Sequence, residues 1–250
     1  MSWALRGRPI EGLEIVLFLT TCAVMVLGLS PNLSTRRLAA PMTGVGLVVA
    51  GIVAWATAQA GPGPLPYLIP YVKTVVAGVG LLLLLLQAGT VDRQEEREVA
   101  SGARAFDALR TTRAEFYAFF LFSLTGLMLC SSAPDLIWLF LALELTSLPT
   151  YIMVTISTRR AVSQEAGVKY FFLGAFGASI FLYGFTLIYG GTGSTQLAEI
   201  AGVIARRGLD PITLTGVMLP VIGRSCKIAA VPMHFYTPDV YEGAAAPGSA

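Results

Sequence analysis

The sequence predicts an all-α fold: a polytopic membrane helix bundle of about seven transmembrane helices, the seventh of them discontinuous. Three observations support this. Of the 250 residues, 55% are hydrophobic and only 13% charged, with a mean hydropathy of +0.70, whereas a soluble globular chain carries about 25% charged residues. Apolar runs near the roughly 20 residues needed to span a bilayer recur along the chain. In the last run, Pro232 and Pro238 each remove a backbone donor, so that helix cannot continue unbroken.

Composition also excludes several function classes. The 17 basic and 15 acidic residues nearly cancel, which leaves no basic face for nucleic acid. Cys22, Cys130 and Cys226 are odd in number and lie in apolar segments. They read as small buried hydrophobes rather than as disulfides or a metal site.

The predicted spans are Glu11–Leu29, Met42–Ala60, Leu68–Ala88, Glu115–Ser131, Asp135–Ser157, Ala166–Tyr189 and about Leu214–Met233. Arg6 and Arg8 before the first run raise the possibility of a signal peptide. The run is long for that role and no small-x-small cleavage site follows, so it reads as a helix. Turn-rich "SPNLSTRR" and "GPGPLP" part the first three spans. Val91–Arg113 mixes five acidic residues with five arginines and must be solvated. "STRRAVSQE" and "GGTGSTQLAEIAGVIARRGLD" separate the last three spans. Loop arginines favour an N-terminus outside. That orientation places Arg36, Arg37, the five arginines of Val91–Arg113, Arg159 and Arg160 inside, against Arg6, Arg8, Arg206 and Arg207 outside.

The charges left in the apolar runs are the informative residues, because one at a helix centre costs roughly 2.5–3.5 kcal/mol on insertion scales. Glu144 lies near the middle of its span and cannot snorkel. At about 100° per residue, Ser147, Tyr151 and Thr155 share its side of the helix, and Pro149 leaves the carbonyl of Leu145 without its usual donor. Glu144 therefore reads as a proton or ion site, with a protonated structural glutamate as the alternative. Lys169 has Glu165 four residues earlier, and spacing alone leaves open a surface pair or a snorkelling lysine. Lys73, near a span end, reads as snorkelling. Lys227 immediately precedes the predicted break, and His234, the single histidine, follows it. Broken helices at membrane depth occur where protein or water satisfies the freed carbonyls, and in transporters they mark the ion site.

Three stretches, "LALELTSLPTYIMV", "SQEAGVKYFFLGAFGASIFLYGFTLIYGGTGSTQL" and "CKIAAVPMHFYTPDVYEGA", resemble the antiporter-like subunit N of the proton-pumping NADH–quinone oxidoreductase, respiratory complex I. The likeness runs from about Glu115 to the last residue. It implies two inverted five-helix repeats, each with one broken helix. It also implies a proton relay of Glu144, the helix-6 lysine Lys169 that pairs with it, the broken-helix lysine Lys227, and His234. The organisation is then a three-helix membrane segment over 1–90, a charged cytoplasmic loop over 91–113, an incomplete first repeat over 114–243, and the start of the next helix over 244–250. The second repeat is missing, so the chain is expected to be a fragment or a truncated product.

The resemblance implies a non-redox subunit of a translocase in the bacterial plasma membrane, with no catalytic activity of its own. No cofactor is expected on this chain; quinone, NADH, FMN and iron–sulfur clusters belong to other subunits. The implied partners are the other membrane subunits and the lipid bilayer, with no soluble small-molecule ligand. The chain departs from the family at Cys226, where Phe is usual, and at Ala245 and Ala246 in the usual "EGAPTP". Arg224, in place of an apolar residue, should disfavour the ammonium form of Lys227 one turn away. Two other readings stay open at this level: a subunit of a Mrp-type cation/proton antiporter or membrane-bound hydrogenase, and a seven-helix receptor or scaffold.

Overall fold

The computed structural model describes residues 12–58, 65–87, 97–99, 101–103, 113–157, 161–227, 230, 234 and 237–243. Ten helices are named among them: α1 (Gly12–Gly28), α2 (Leu33–Arg36), α3 (Ala39–Ala56), α4 (Leu68–Gln87), α5 (Arg113–Ser131), α6 (Leu136–Ser157), α7 (Ala161–Thr192), α8 (Leu197–Arg207), α9 (Pro211–Lys227) and α10 (Thr237–Gly243). Among the described residues, five segments are long and apolar enough to cross a membrane: Ser34–Ala56, Leu68–Gln87, Arg113–Ser131, Leu136–Ile156 and Ala161–Thr192. Helix α1 is a shorter apolar helix of 17 residues, and α9 also has 17. Large apolar side chains such as Ile52, Leu82, Leu85 and Phe172 point outward, as they should where lipid replaces water. The chain is a multi-pass membrane protein, built as two compact units, Met1–Ser131 and Ser132–Ser249.

The first unit is an antiparallel arrangement of α1, α3, α4 and α5. Small residues set its spacing: Gly46 lies against Thr20, Gly80 against Leu124 and Gly28 against Ala114. Thr20, Thr21 and Thr125 donate to the carbonyls four residues earlier, which satisfies their hydroxyls within their own helices. Two of the cysteines depart from expectation. Cys22 is exposed on α1 and Cys130 is half-buried on α5, both as free thiols. An apolar face turned to lipid accepts the same residues as a protein core, so hydropathy cannot tell the two apart.

In the second unit α6 opens with Asp135, whose carboxylate accepts from the N–H of Trp138 at 2.7 Å, as a helix cap does. An isolated bridge between Asp135 and Gln196 ties this end to the start of α8. Helix α7 runs from Ala161 to Thr192, longer at both ends than the predicted Ala166–Tyr189. Its 32 residues span about 48 Å at 1.5 Å each, against a hydrocarbon core of about 30 Å. The expected loop residues Ala161–Glu165 are therefore helical, continuing the span into polar surroundings. Helix α8 lies inside the other expected loop. It is amphipathic, with Ile200 buried and Arg206 and Arg207 exposed, and too short for a span search to find. It ends at Gly208, whose φ of 76° suits glycine.

Helices α7 and α9 meet backbone to backbone. A Cβ on Gly223 would lie 2.5 Å from the carbonyl oxygen of Gly177, and one on Gly216 would lie 2.7 Å from the nitrogen of Ile188. The Pro220 ring fills the space beside Gly184, and Thr213 lies against Gly191. Such small-residue seams suit helices in lipid, where association rests on close packing rather than on the hydrophobic effect. Helix α9 is described as far as Lys227, and Ala230 and His234, the next described residues, are not helical, as the two prolines predict. The N–H of Ala230 reaches back five residues to the carbonyl of Ser225 at 2.9 Å. The carbonyl of His234, which Pro238 cannot serve, accepts from the N–H of Thr237 at 3.1 Å. Pro232 lies outside the described residues. Helix α10 then packs back on the start of α7, with Val240 beside Val154 and Ala166.

Gly184→Leu or Gly223→Leu should push α9 off α7 and destabilise the protein by about 1–3 kcal/mol. Gly190→Ala, where an added Cβ meets nothing within 4 Å, should be neutral. Thermal unfolding of the purified membrane protein checks both.

A second expectation concerns the start of α9, where Asp210 is the cap and Pro211 the first residue. The Thr213 hydroxyl holds the exposed Asp210 carboxyl below its usual pKa, with desolvation opposing and the N–H groups of Thr213 and Ile212 assisting. A depressed folded pKa means the cap stabilises above the ordinary aspartate pKa and is lost as pH falls through the lowered value. Asp210→Ala should increase amide exchange at Ile212 and Thr213 near neutral pH, and the difference from wild type should vanish in strong acid.

Candidate functional site

The polar stripe on α6 serves two neighbours. Toward α9, Lys227 donates from Nζ to Glu144 Oε1 at 2.6 Å and to Ser147 Oγ at 2.8 Å. The Ser147 hydroxyl donates in turn to the carbonyl of Leu143 at 2.8 Å. Toward α7, Tyr151 and Thr155 lie against Gly174 and Gly167, where no larger residue would fit. The ring of Tyr151 is buried and meets Tyr170 edge-on at 4.5 Å between centroids.

The geometry suits a titratable pair. The Glu144 and Lys227 side chains keep 18% and 19% of their surface exposed, so neither is sealed away. Ser147 supplies a second acceptor for the ammonium, so the charge does not rest on the carboxylate alone. Lys227 also lies in the last turn of α9, the helix end that favours a cation. The break thus places the lysine at a negative helix end, facing an acid at the middle of another helix.

Residues 133–250 match the family described as NADH:quinone oxidoreductase/Mrp antiporter, TM. The NADH-quinone oxidoreductase subunit N of Alkalilimnicola ehrlichii is 37% identical over 239 residues, covering 92% of this chain and 46% of that protein. The subunit N 2 of Koribacter versatilis is 45% identical over 142 residues, covering 56% of this chain and 29% of that protein. Among solved structures, the respiratory complex I of Thermus thermophilus with bound aureothin matches at a TM-score of 0.66 and 32% identity, over 94% of this chain and 48% of that one. Residues 133–250 belong to the NADH:quinone oxidoreductase/Mrp antiporter family. The chain spans less than half the length of these relatives. The family description covers complex I and Mrp proteins alike, whereas these relatives carry the subunit N name.

Within this antiporter-like fold, the structure joins Glu144 to Lys227 directly, a pairing the sequence reading did not specify. Lys169 makes the i,i+4 pair that its spacing from Glu165 left open. Its ammonium meets Glu165 at 2.8 Å, four residues earlier, with the two side chains 44% and 65% exposed. The extra length of α7 explains this, since it puts Lys169 two turns into the helix, near the end that leaves the bilayer. His234 is exposed in the turn between α9 and α10. Arg224 is exposed while Lys227, three residues on, turns toward α6.

One further pair was missed. Lys73 does not snorkel: it is fully buried and donates to Glu14 Oε1 at 2.7 Å, with 6% of the Glu14 side chain exposed. The signal was present in the sequence. Glu14 is the only charged residue in α1, Lys73 the only one in α4, and α3 has none.

Lys227→Met should destabilise the fold by about 2–3 kcal/mol, below the usual loss for a buried pair because this one is partly open. Lys169→Met should cost about 0.3–0.5 kcal/mol, as an exposed i,i+4 pair does. Denaturant or thermal unfolding of the two variants in parallel measures the difference.

Proposed function

We propose that this chain forms part of the N-type membrane subunit of a proton-pumping NADH–quinone oxidoreductase and relays protons through its interior. The supporting observation is the Lys227–Glu144 pair at the break in α9. A lysine held as ammonium by a carboxylate loses that preference when the carboxylate is neutralised or drawn away. Protonation of Glu144 would therefore release one proton from Lys227 Nζ, and transfer of the Glu144 proton to the neutral amine would restore the pair. Ser147 bridges the change, since its hydroxyl accepts from the ammonium and can donate to a neutral amine. Lys169 would feed charge toward the pair from the start of α7, and His234 would extend the path beyond the break.

The driving energy comes from quinone reduction in other subunits, so the chain acts as a non-redox part of a translocase. Its partners are other membrane subunits of the complex and the bilayer. On the loop-arginine reading it sits in a bacterial plasma membrane with its N-terminus outside.

In the complete complex, Glu144→Gln and Lys227→Met should each assemble and reduce quinone-linked proton pumping several-fold. Proton uptake per electron, measured in vesicles with a pH-sensitive dye, reads this. Full pumping in either variant rules the relay out.

A further inference from the structure

Helix α7 reaches the polar side of α6 through a phenol. Lys169 turns outward to Glu165, whereas the next residue, Tyr170, turns inward. Its ring packs against Val154, Ala166 and Val240 and meets Tyr151 edge-on at 4.5 Å between centroids. Its hydroxyl is hydrogen-bonded to the side chain of Thr150. The Thr150 hydroxyl donates its own proton to the carbonyl of Ser147 at 2.6 Å. The Thr150 oxygen is therefore left to accept from the phenol. The bonds run in one direction, from Tyr170 to Thr150 and on to the backbone of Ser147.

This chain of bonds ends at the weakest turn of α6. Pro149 has no N–H to offer the carbonyl of Leu145, so the ladder lacks a rung there and the helix can bend. A threonine bonded to a carbonyl of the preceding turn bends a helix further. The direction of the Thr150 hydroxyl, which the phenol holds, fixes that bend. Ser147 and Thr150 are three residues apart and point about 60° from each other around the helix. Ser147 faces α9, where its Oγ accepts from Lys227 at 2.8 Å, while Thr150 faces α7. The turn between them passes position from one neighbour to the other. Packing alone does not call for the phenol oxygen, because a phenylalanine ring fills the same space and a hydroxyl bond between helices in lipid adds only modestly to stability.

We infer that Tyr170 is a positioning residue of the relay, holding Ser147 at the Lys227 ammonium through Thr150. The inference rests on the Glu144–Lys227 relay proposed above and deepens it. Tyr170 touches neither charge and carries no transferred proton. It acts by keeping the second acceptor of Lys227 within reach. With Ser147 in place, the ammonium has two acceptors and the neutral amine has a hydroxyl donor, so both states of the pair are served. With Ser147 displaced, each exchange is made against Glu144 alone, and fewer protons cross per turnover.

The test measures proton uptake per electron by the complete complex in vesicles, a ratio that a smaller amount of assembled protein does not change. Tyr170→Phe keeps the ring and removes the hydroxyl. It should lower the ratio about two- to tenfold, the range that one hydrogen bond controls. Thr150→Val should lower it similarly, and Thr150→Ser, which keeps a hydroxyl, should restore it. In a Ser147→Ala background Tyr170→Phe should change nothing further, because the group it positions is gone. A wild-type ratio in Tyr170→Phe overturns the inference. An equal loss with and without the Ser147 hydroxyl overturns it too, since the phenol would then act by another route. Should Tyr170→Phe not assemble, Thr150→Val and Thr150→Ser decide between them, and equal ratios in the two sink the idea. Lys227→Met, measured alongside, separates the two readings. Full pumping in that variant removes the relay itself, whereas a loss there with none in Tyr170→Phe removes only the positioning role.

Discussion

A charge placed in hydrocarbon must meet an opposite charge, and the organisation of both units follows from that constraint. In the second unit the requirement joins the end of α9 to the middle of α6. Lys227 lies in the last turn of α9, the helix end that favours a cation, and Glu144 and Ser147 hold its ammonium. In the first unit the same requirement draws α1 to α4, two helices with one charge each. The pairs differ in setting. The Glu144–Lys227 pair lies beside an interrupted helix and remains partly open, whereas the Glu14–Lys73 pair is enclosed by continuous helices.

Pairing alone does not position these groups; close packing does. Helix α7 is the spine of the second unit, presenting Gly177, Gly184 and Gly191 to α9, and Gly167 and Gly174 to α6. Those glycines let two neighbours approach almost to backbone contact, which sets how far Lys227 stands from Glu144. Pro149 and Pro220 loosen the hydrogen-bond ladders of α6 and α9 where these helices meet their partners. The unit is therefore tight along the α7 seam and irregular along the polar line.

Much of this was legible in the sequence. Apolar length located the five described segments long enough to cross a membrane, because a helix must cover the hydrocarbon and charged loops cannot enter it, while two of the seven predicted spans are 17-residue helices among the described residues. The interruption after Lys227 was legible because proline lacks a donor. Partnership was harder to read. Helical spacing put Glu144, Ser147, Tyr151 and Thr155 on one side, yet that side divides between α9 and α7, and period alone cannot assign neighbours. The length of α7 was underestimated because hydropathy ends a span where the apolar run ends, while α7 continues as helix beyond it. Lys73 was misjudged because a lysine near a span end can reach water or turn inward. Only the presence of Glu14 on a neighbouring helix decides between these. Helix α8 was hidden by its shortness and mixed composition.

The order of the paired residues along the chain bears on how the protein enters the membrane. In both pairs the acid precedes the base, by 59 residues for Glu14 and Lys73 and by 83 for Glu144 and Lys227. At synthesis rates of about 5–20 residues per second, each glutamate reaches the bilayer about 3–17 s before its lysine is made. A glutamate can wait there as a neutral acid, since an isolated buried carboxyl takes up a proton rather than remain charged. A lysine arriving first would have to give up its proton or face the insertion penalty of its ammonium. With the acid already in place, the later helix finds a counter-ion waiting, and the newborn chain never has to hold an unmatched ammonium in lipid.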